Sequence, residues 1–563
     1  MAATAVVFLL VEAPVCTAKE AGVYRNPIVR GGHPDPSVCR DDTGFYLVNS
    51  TFEYFPGLPV HHSTDLVNWT LVGHGLHRPE QVTGDVNLVD VQSDGGIHAP
   101  TIRCHNGRYY IITTNVYLAP EEGAQTEFVN FVITADDPSG PWSDPVVVAG
   151  APGIDPDLFF DDDGRAWYVG THSPENPSFP GEGEIWLQEL DAKTWQFKGD
   201  RHLLWRGACG GVWSEGPHMY KHDGRYYLMI AEGGTSFNHA VMIAVSDAVT
   251  GPYASNPRNP ILTSRHLSYD HWVNSTGHAD LIELEDGRWF AVTLGIRGDV
   301  DRRSNMGRET HLVPVVWERE PFWWQEVKTL WPVLSPQTGR VERTFALPFA
   351  DAPQRHVNTF EDSFNDAALG LAWNFRRVPA ADTWSLRDGA LELRAGAAVI
   401  EERSRASLVG FRQTESDFHY ETSMRFDPAA DGAEAGINFF QKDNNNLAFT
   451  VRREAGAVKL RAVLTMPASN ADATPVARTL GETAMDGYSG SIVLRLESSD
   501  DVYRLQYRIG DDGAAREFAT VDASVLLSRK YTGAYLGLYA TGNGRNTKDR
   551  AAFDWVKYEA FER

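Results

Sequence analysis

Hydrophobic and polar positions along the first 330 residues follow one repeating phrase. Five times a turn glycine opens an aromatic-rich run of alternating character: GFYLVNS from Gly44, GRYYIITTN from Gly107, GRAWYVGTH from Gly164, GRYYLMIAE from Gly224 and GRWFAVTLG from Gly287. A shorter apolar run and a polar turn precede each glycine, as in PSVCRDD, PTIRCHN, PDLFFDD, PHMYKHD and ADLIELED. Each pair of runs reads as a β-hairpin. Further along the units come STDLVNW (63–69), ADDPSGPW (135–142), LDAKTW (190–195) and SDAVTGPY (246–253), which are expected to mark outer strands. Several short strands recurring every 57–63 residues predict a five-bladed β-propeller over residues 25–335. A long β-sandwich is the alternative, but it gives no reason for phrases to return at near-constant spacing.

Beyond residue 335 the repeat stops. A connector containing Pro and Ala spans 336–357, and residues 358–563 then alternate in long runs such as HYETSMRF (419–426), SIVLRLESS (491–499) and AAFDWVKYEAF (551–561). That pattern predicts a β-sandwich, so the fold class is all-β in two domains. Residues 1–24 read as a leader. Its apolar run Ala5–Val11 and the small residues before Lys19 resemble the tail of a signal peptide, although it has no basic start and Glu12 interrupts it. A secreted or periplasmic location is therefore expected, with the cytoplasm as the alternative. Cys39, Cys104 and Cys209 follow the leader without metal-ligand spacing and leave the compartment open.

A formal charge of −24 excludes nucleic acid and anionic membrane surfaces as natural partners, because both call for basic patches. No later stretch reaches the ~20 apolar residues of a membrane helix. A neutral ligand fits better, and sugar rings suit the flat faces of some of the 16 Trp and 20 Tyr, most of which serve the core.

Candidate chemistry emerges from the repeat itself. Nine residues before each repeat glycine stands an ionisable residue: Asp35, His98, Asp155, Glu215 and His278. These positions open the innermost strand of each blade, and a propeller gathers such entrances around its axis. Taken singly, each is a cap or a solvated charge. Three carboxylates and two imidazoles converging on one mouth desolvate one another and push their pKa values apart, which marks chemistry or a metal. Carboxylates across an aromatic mouth suit glycosidic cleavage, in which one acid protonates the leaving oxygen and a base works on the opposite face. A metal-only site and a non-catalytic sugar-binding propeller are the other readings. No G-x-S-x-G elbow or Walker phosphate cradle is present.

The phrases NPIVRGGHPDPS (26–37), STFEYFPGLPVHHSTDLVNW (50–69), GIDPDLFFDDDG (153–164), SEGPHMYK (214–221), STGHADLIE (275–283) and MGRETHL (306–312) resemble glycoside hydrolase family 43, the five-bladed inverting β-xylosidases and α-L-arabinofuranosidases. The resemblance implies Asp35 as general base, Glu215 as general acid and Asp155 as the carboxylate that orients the acid and adjusts its pKa. It implies that Phe52 lines the subsite of the departing sugar, that Arg308 binds its hydroxyls, and that His278 lies beneath it against a carboxylate, water or the calcium ion some members hold. No cofactor is required by that reading, and a calcium ion would be structural. Where the family commonly places an aromatic in blade two, this chain has His98. The C-terminal domain resembles the concanavalin-like sandwich appended to many family 43 xylosidases, whose loop closes the mouth into a pocket. The expected function is release of terminal β-xylosyl units from xylo-oligosaccharides or arabinoxylan-derived substrates, with α-L-arabinofuranosidase as second or main activity.

Overall fold

The computed structural model describes residues 22–562 apart from 209, 300, 320–328, 356, 469–474, 511–512 and 529–531. The segment expected to be a leader thus lies almost wholly outside the described residues, as does Cys209.

Five antiparallel sheets form the blades, their strands following in chain order except that in blade one Tyr54–Phe55 is passed over and joins another sheet. Their innermost strands are Ser37–Asp41, Gly96–His105, Ile154–Phe160, Glu215–His222 and Asn274–Glu283. Each pairs with the strand that follows its repeat glycine, and the inner strands neighbour one another around a closed ring. Strand alternation explains the run of apolar residues after each glycine, because successive side chains point to opposite faces and both faces are covered by neighbouring blades. Tyr46 and Val48 enter the core between blades one and two, whereas Phe45 and Leu47 enter the core between blades five and one. Ile111 and Ile112 divide in the same way, as do Tyr227 and Leu228. Each fully buried side chain of this kind contributes roughly 1.5–3 kcal/mol.

Two expectations are corrected here. The phrases STDLVNW, ADDPSGPW, LDAKTW and SDAVTGPY are turns between the third and outer strands, beginning where the third strands end at Ser63, Ala135, Leu190 and Ser246. Their Asp residues are turn formers: Asp65 accepts from the backbone N–H groups of Val67 and Asn68 at 2.9 and 2.7 Å. The leader and connector boundaries also differ. Val23–Arg25 forms a strand paired with Thr344–Ala346, so residues assigned to the leader and the connector fasten the propeller together.

The C-terminal domain is two facing sheets around one large core. One sheet gains a strand from the propeller: Tyr54–Phe55 pairs with Asn374–Arg376 at the sheet edge. The Tyr54 ring stacks on Tyr535 with centroids 3.9 Å apart. The sandwich is therefore joined to blade one by main-chain pairing as well as by side chains.

Candidate active site

The ring of ionisable residues expected from the repeat is assembled at one mouth of the propeller. Asp35, His98, Asp155, Glu215, His278, Phe52 and Arg308 all line one pocket of about 500 Å³. The backbone is bent to aim them. Asp35, Phe52, Asp155 and His278 have φ of 52°, 51°, 53° and 46°, in the left-handed region that side chains seldom adopt. Each such residue costs about 1–3 kcal/mol, held by surrounding structure. Register shifts interrupt the inner strands at Ile154/Asp157, Glu215/His218, His98/Thr101 and Gly277/Ala279, and such bulges re-aim side chains toward the axis. Gly216 belongs to the same design: at φ +57°, a Cβ there would lie 2.8 Å from the His278 ring.

Asp35 is buried, with Oδ2 accepting from Ser50 Oγ at 2.6 Å and Oδ1 accepting from Arg308 at 2.5 Å. Burial alone would raise its pKa. The Arg308 guanidinium, His278 and the Ser50 hydroxyl outweigh burial and hold the carboxyl below its ordinary range. Glu215 behaves oppositely. Burial first, then Asp155, then Asp35 push its pKa well above the ordinary carboxyl value, so it keeps its proton. Asp155 Oδ2 accepts from Gly216 N at 3.1 Å, which ties it to the backbone beside Glu215. Burial and the Asp35 charge raise Asp155 to about 7. The Asp155 charge is among the causes that hold the proton on Glu215. The arrangement thus sets an ionised carboxylate on blade one against a protonated carboxyl on blade four.

Burial lowers His278 to about 4, so it is neutral in the working range, with Nδ1 3.9 Å from Asp35 Oδ1. His98 meets the Phe52 ring edge-on at 4.9 Å, and Arg308 lies over the same ring at 5.4 Å. The wall beside Phe52 is therefore an imidazole edge and a guanidinium. Phe52 is itself pinned by mutual backbone hydrogen bonds with Ile97 at 2.9 and 3.0 Å, and Arg377 of the sandwich donates to Glu53 O at 2.8 Å.

A calcium ion beside His278 does not fit these residues. The Arg103 guanidinium occupies the axis, 2.6 Å from Asp157 and 3.1 Å from Asp280. Calcium takes six to eight oxygen ligands, and these carboxylates are already engaged. Among the described residues, no group of three or more His, Cys, Asp or Glu side chains is arranged to hold a metal ion.

Sequence reasoning missed Asp94, Ala99, Ile154, Trp213, Gly234, Thr235, Ser236 and Thr532, which complete the lining. Thr532 comes from the sandwich, so the C-terminal domain contributes to the pocket wall. Its loop approaches through glycines: a Cβ at Gly32 would lie 2.3 Å from Thr532 O, and one at Gly307 2.4 Å from Gly533 N. Those glycines stand in RGGHPDPS and MGRET, and their duplication in the first phrase is the one sequence signal for the close approach.

This site defines a propeller glycosidase with an acid–base carboxyl pair. Residues 24–322 match the model for "Glycosyl hydrolases family 43", and residues 361–559 match "Beta xylosidase C-terminal Concanavalin A-like domain". A "Xylosidase/arabinosidase" of Butyrivibrio fibrisolvens is 35% identical over 555 residues, covering 95% of this chain and 99% of that one. A "Non-reducing end alpha-L-arabinofuranosidase" of Bacteroides ovatus is 35% identical over 542 residues, covering 96% and 95%. The solved xylan beta-1,4-xylosidase of Bacillus halodurans superposes with a TM-score of 0.82 at 28% identity, covering 95% of this chain and all of that one. The chain belongs to glycoside hydrolase family 43.

Proposed function

We propose that this hydrolase is an exo-acting, inverting β-xylosidase that trims xylo-oligosaccharides or arabinoxylan-derived fragments, with α-L-arabinofuranosidase as a second activity. The observation that carries the reading is the contrast between two carboxyls in one pocket: Asp35 held by Arg308 and Ser50, which favour its ionised form, and Glu215 buried beside Asp155, which favours its proton. Glu215 protonates the departing oxygen while Asp35 activates water on the far side of the anomeric carbon. Asp155 favours the proton on Glu215 until the bond breaks. Asp35 and Glu215 stand on non-adjacent blades, which favours the wider separation of an inverting pair, roughly 6.5–9.5 Å, over the ~5–5.5 Å of a retaining one. Thr532, reaching over from the sandwich, supports a pocket that takes chain ends. The arabinosidase names among the relatives support the second activity.

The Cys39–Cys104 disulfide between the inner strands of blades one and two supports an oxidising compartment, in keeping with export. Rates on paired nitrophenyl β-xyloside and α-L-arabinofuranoside measure the preference between sugars. Proton NMR in the first minutes decides the stereochemistry: α-xylose should appear first, and β-xylose ahead of mutarotation rejects inversion. A fall in xylan viscosity before free xylose accumulates rejects exo action.

A further inference from the structure

One layer beneath the catalytic ring, a single side chain touches the inner strands of all five blades. Arg103, from blade two, donates through Nε to Leu158 O of blade three at 3.2 Å and pairs with Asp157 of the same blade at 2.6 Å. It reaches His218 Nδ1 of blade four at 3.2 Å, Asp280 of blade five at 3.1 Å and Ser37 of blade one at 3.4 Å. Asp157 and Asp280 are fully buried, and each staples a blade junction as well. Met219 N donates to Asp157 at 2.8 Å; Tyr220 OH and Ser37 Oγ donate to Asp280 at 2.6 and 2.7 Å.

This layer is directly linked to the chemistry. Ser37, Asp157 and Asp280 each lie two residues beyond Asp35, Asp155 and His278, and His218 lies three beyond Glu215. The His218 ring meets His278 edge-on at 6.2 Å, and His278 in turn faces Asp35. We propose that Arg103 is the resident cation of the propeller axis: a positioning residue that fixes the spacing of Asp35, Asp155 and Glu215 and fills the place a metal ion would need. Its fork neutralises two buried carboxylates that would otherwise repel, and its fixed geometry distributes that charge over four neighbouring blades.

The proposal rests on the assignment of the three carboxylates, which loss of activity on their amide substitution tests separately. Its own test uses the full chain after dialysis against EDTA, titrated calorimetrically with calcium and melted with and without it. Wild type is expected to show no binding heat and an unchanged Tm. R103Q should lower kcat on xylobiose about tenfold or more with a smaller change in KM. Its acid limb of kcat/KM should move to higher pH, since uncompensated Asp157 and Asp280 disfavour the ionised form of Asp35. R103K, which keeps the charge without the fork, should hold that limb near wild type while melting lower. Calcium binding by wild type, or a Tm that falls on chelation, overturns the proposal. So does R103Q with an unmoved acid limb. Should R103Q not fold, R103K decides: a limb displaced despite the retained charge refutes the electrostatic role.

Discussion

Replacing Arg308 by Gln removes the guanidinium 2.5 Å from Asp35 Oδ1 and leaves the carboxyl buried beside Ser50. An arginine at contact lowers a carboxyl pKa by roughly 1–3 units, equivalent to about 1.4–4 kcal/mol. The upper figure agrees with the ~4 kcal/mol between unit charges 4 Å apart at an effective dielectric of 20. In the parent, Arg308, His278 and Ser50 together overcome burial. With Arg308 gone, burial dominates and the Asp35 pKa rises. A base works only when ionised, so the acid limb of kcat/KM should move to higher pH by at least about one unit. KM should rise as well, because the same guanidinium lines the pocket, but the position of the limb is read independently of that loss. Stability gives a second readout. The depressed parent group contributes stability above its unfolded value of about 3.9, and that contribution is lost as pH falls through the folded pKa. In R308Q the folded pKa is raised, so the group instead favours the fold at low pH and that gain disappears as pH rises through it. Profiles from pH 3 to 9 on a nitrophenyl xyloside, with melting curves at each pH, test both. An acid limb that stays in place or moves to lower pH would refute the electrostatic account of Asp35.

E215Q should lower turnover of xylobiose by ~10²-fold or more while losing far less on a nitrophenyl glycoside, whose leaving group scarcely needs a proton; equal losses on both would exclude Glu215 as the acid. D155N removes one of the charges that raise Glu215, so the alkaline limb should move to lower pH; a limb moving upward would contradict the pairing. Trp213 is 53% exposed and lines the pocket with Glu215, which makes it a candidate contact for the leaving-group sugar. W213A should raise KM for xylobiose about threefold to tenfold and change methyl β-xyloside less. A matching loss on the methyl glycoside would make Trp213 a structural residue.

The propeller was legible in the sequence because every blade shares one hairpin phrase, and the catalytic ring because equivalent positions of inner strands face one axis. Asp35, Asp155 and Glu215 could be found by counting back from Gly44, Gly164 and Gly224. The rest of the pocket obeys no such count. Trp213 stands on the connection from blade three to blade four, Thr235 and Ser236 on the turn between the second and third strands of blade four, and Thr532 arrives from another domain more than 200 residues downstream of the last blade motif. The Cys39–Cys104 pair was hidden for a related reason. The cysteines sit five and three residues before their repeat glycines, and the bulge at His98/Thr101 changes the inner-strand register of blade two. Arg103 was likewise invisible, because a charged residue in an inner strand acquires meaning only when five strands surround it.

The short pairing of Tyr54–Phe55 with Asn374–Arg376 bears on how chains of this kind can be recombined. Cutting after the fifth blade would strip this segment of its strand partner, two residues from Phe52, and would expose the stacked Tyr54 ring. Exchanging the sandwich for a foreign one would require matching an edge strand, a tyrosine and the glycine gaps at Gly32 and Gly307 together. The inheritable unit is accordingly the joined pair, and substrate preference can be retuned by grafting loops within it more readily than by trading whole domains.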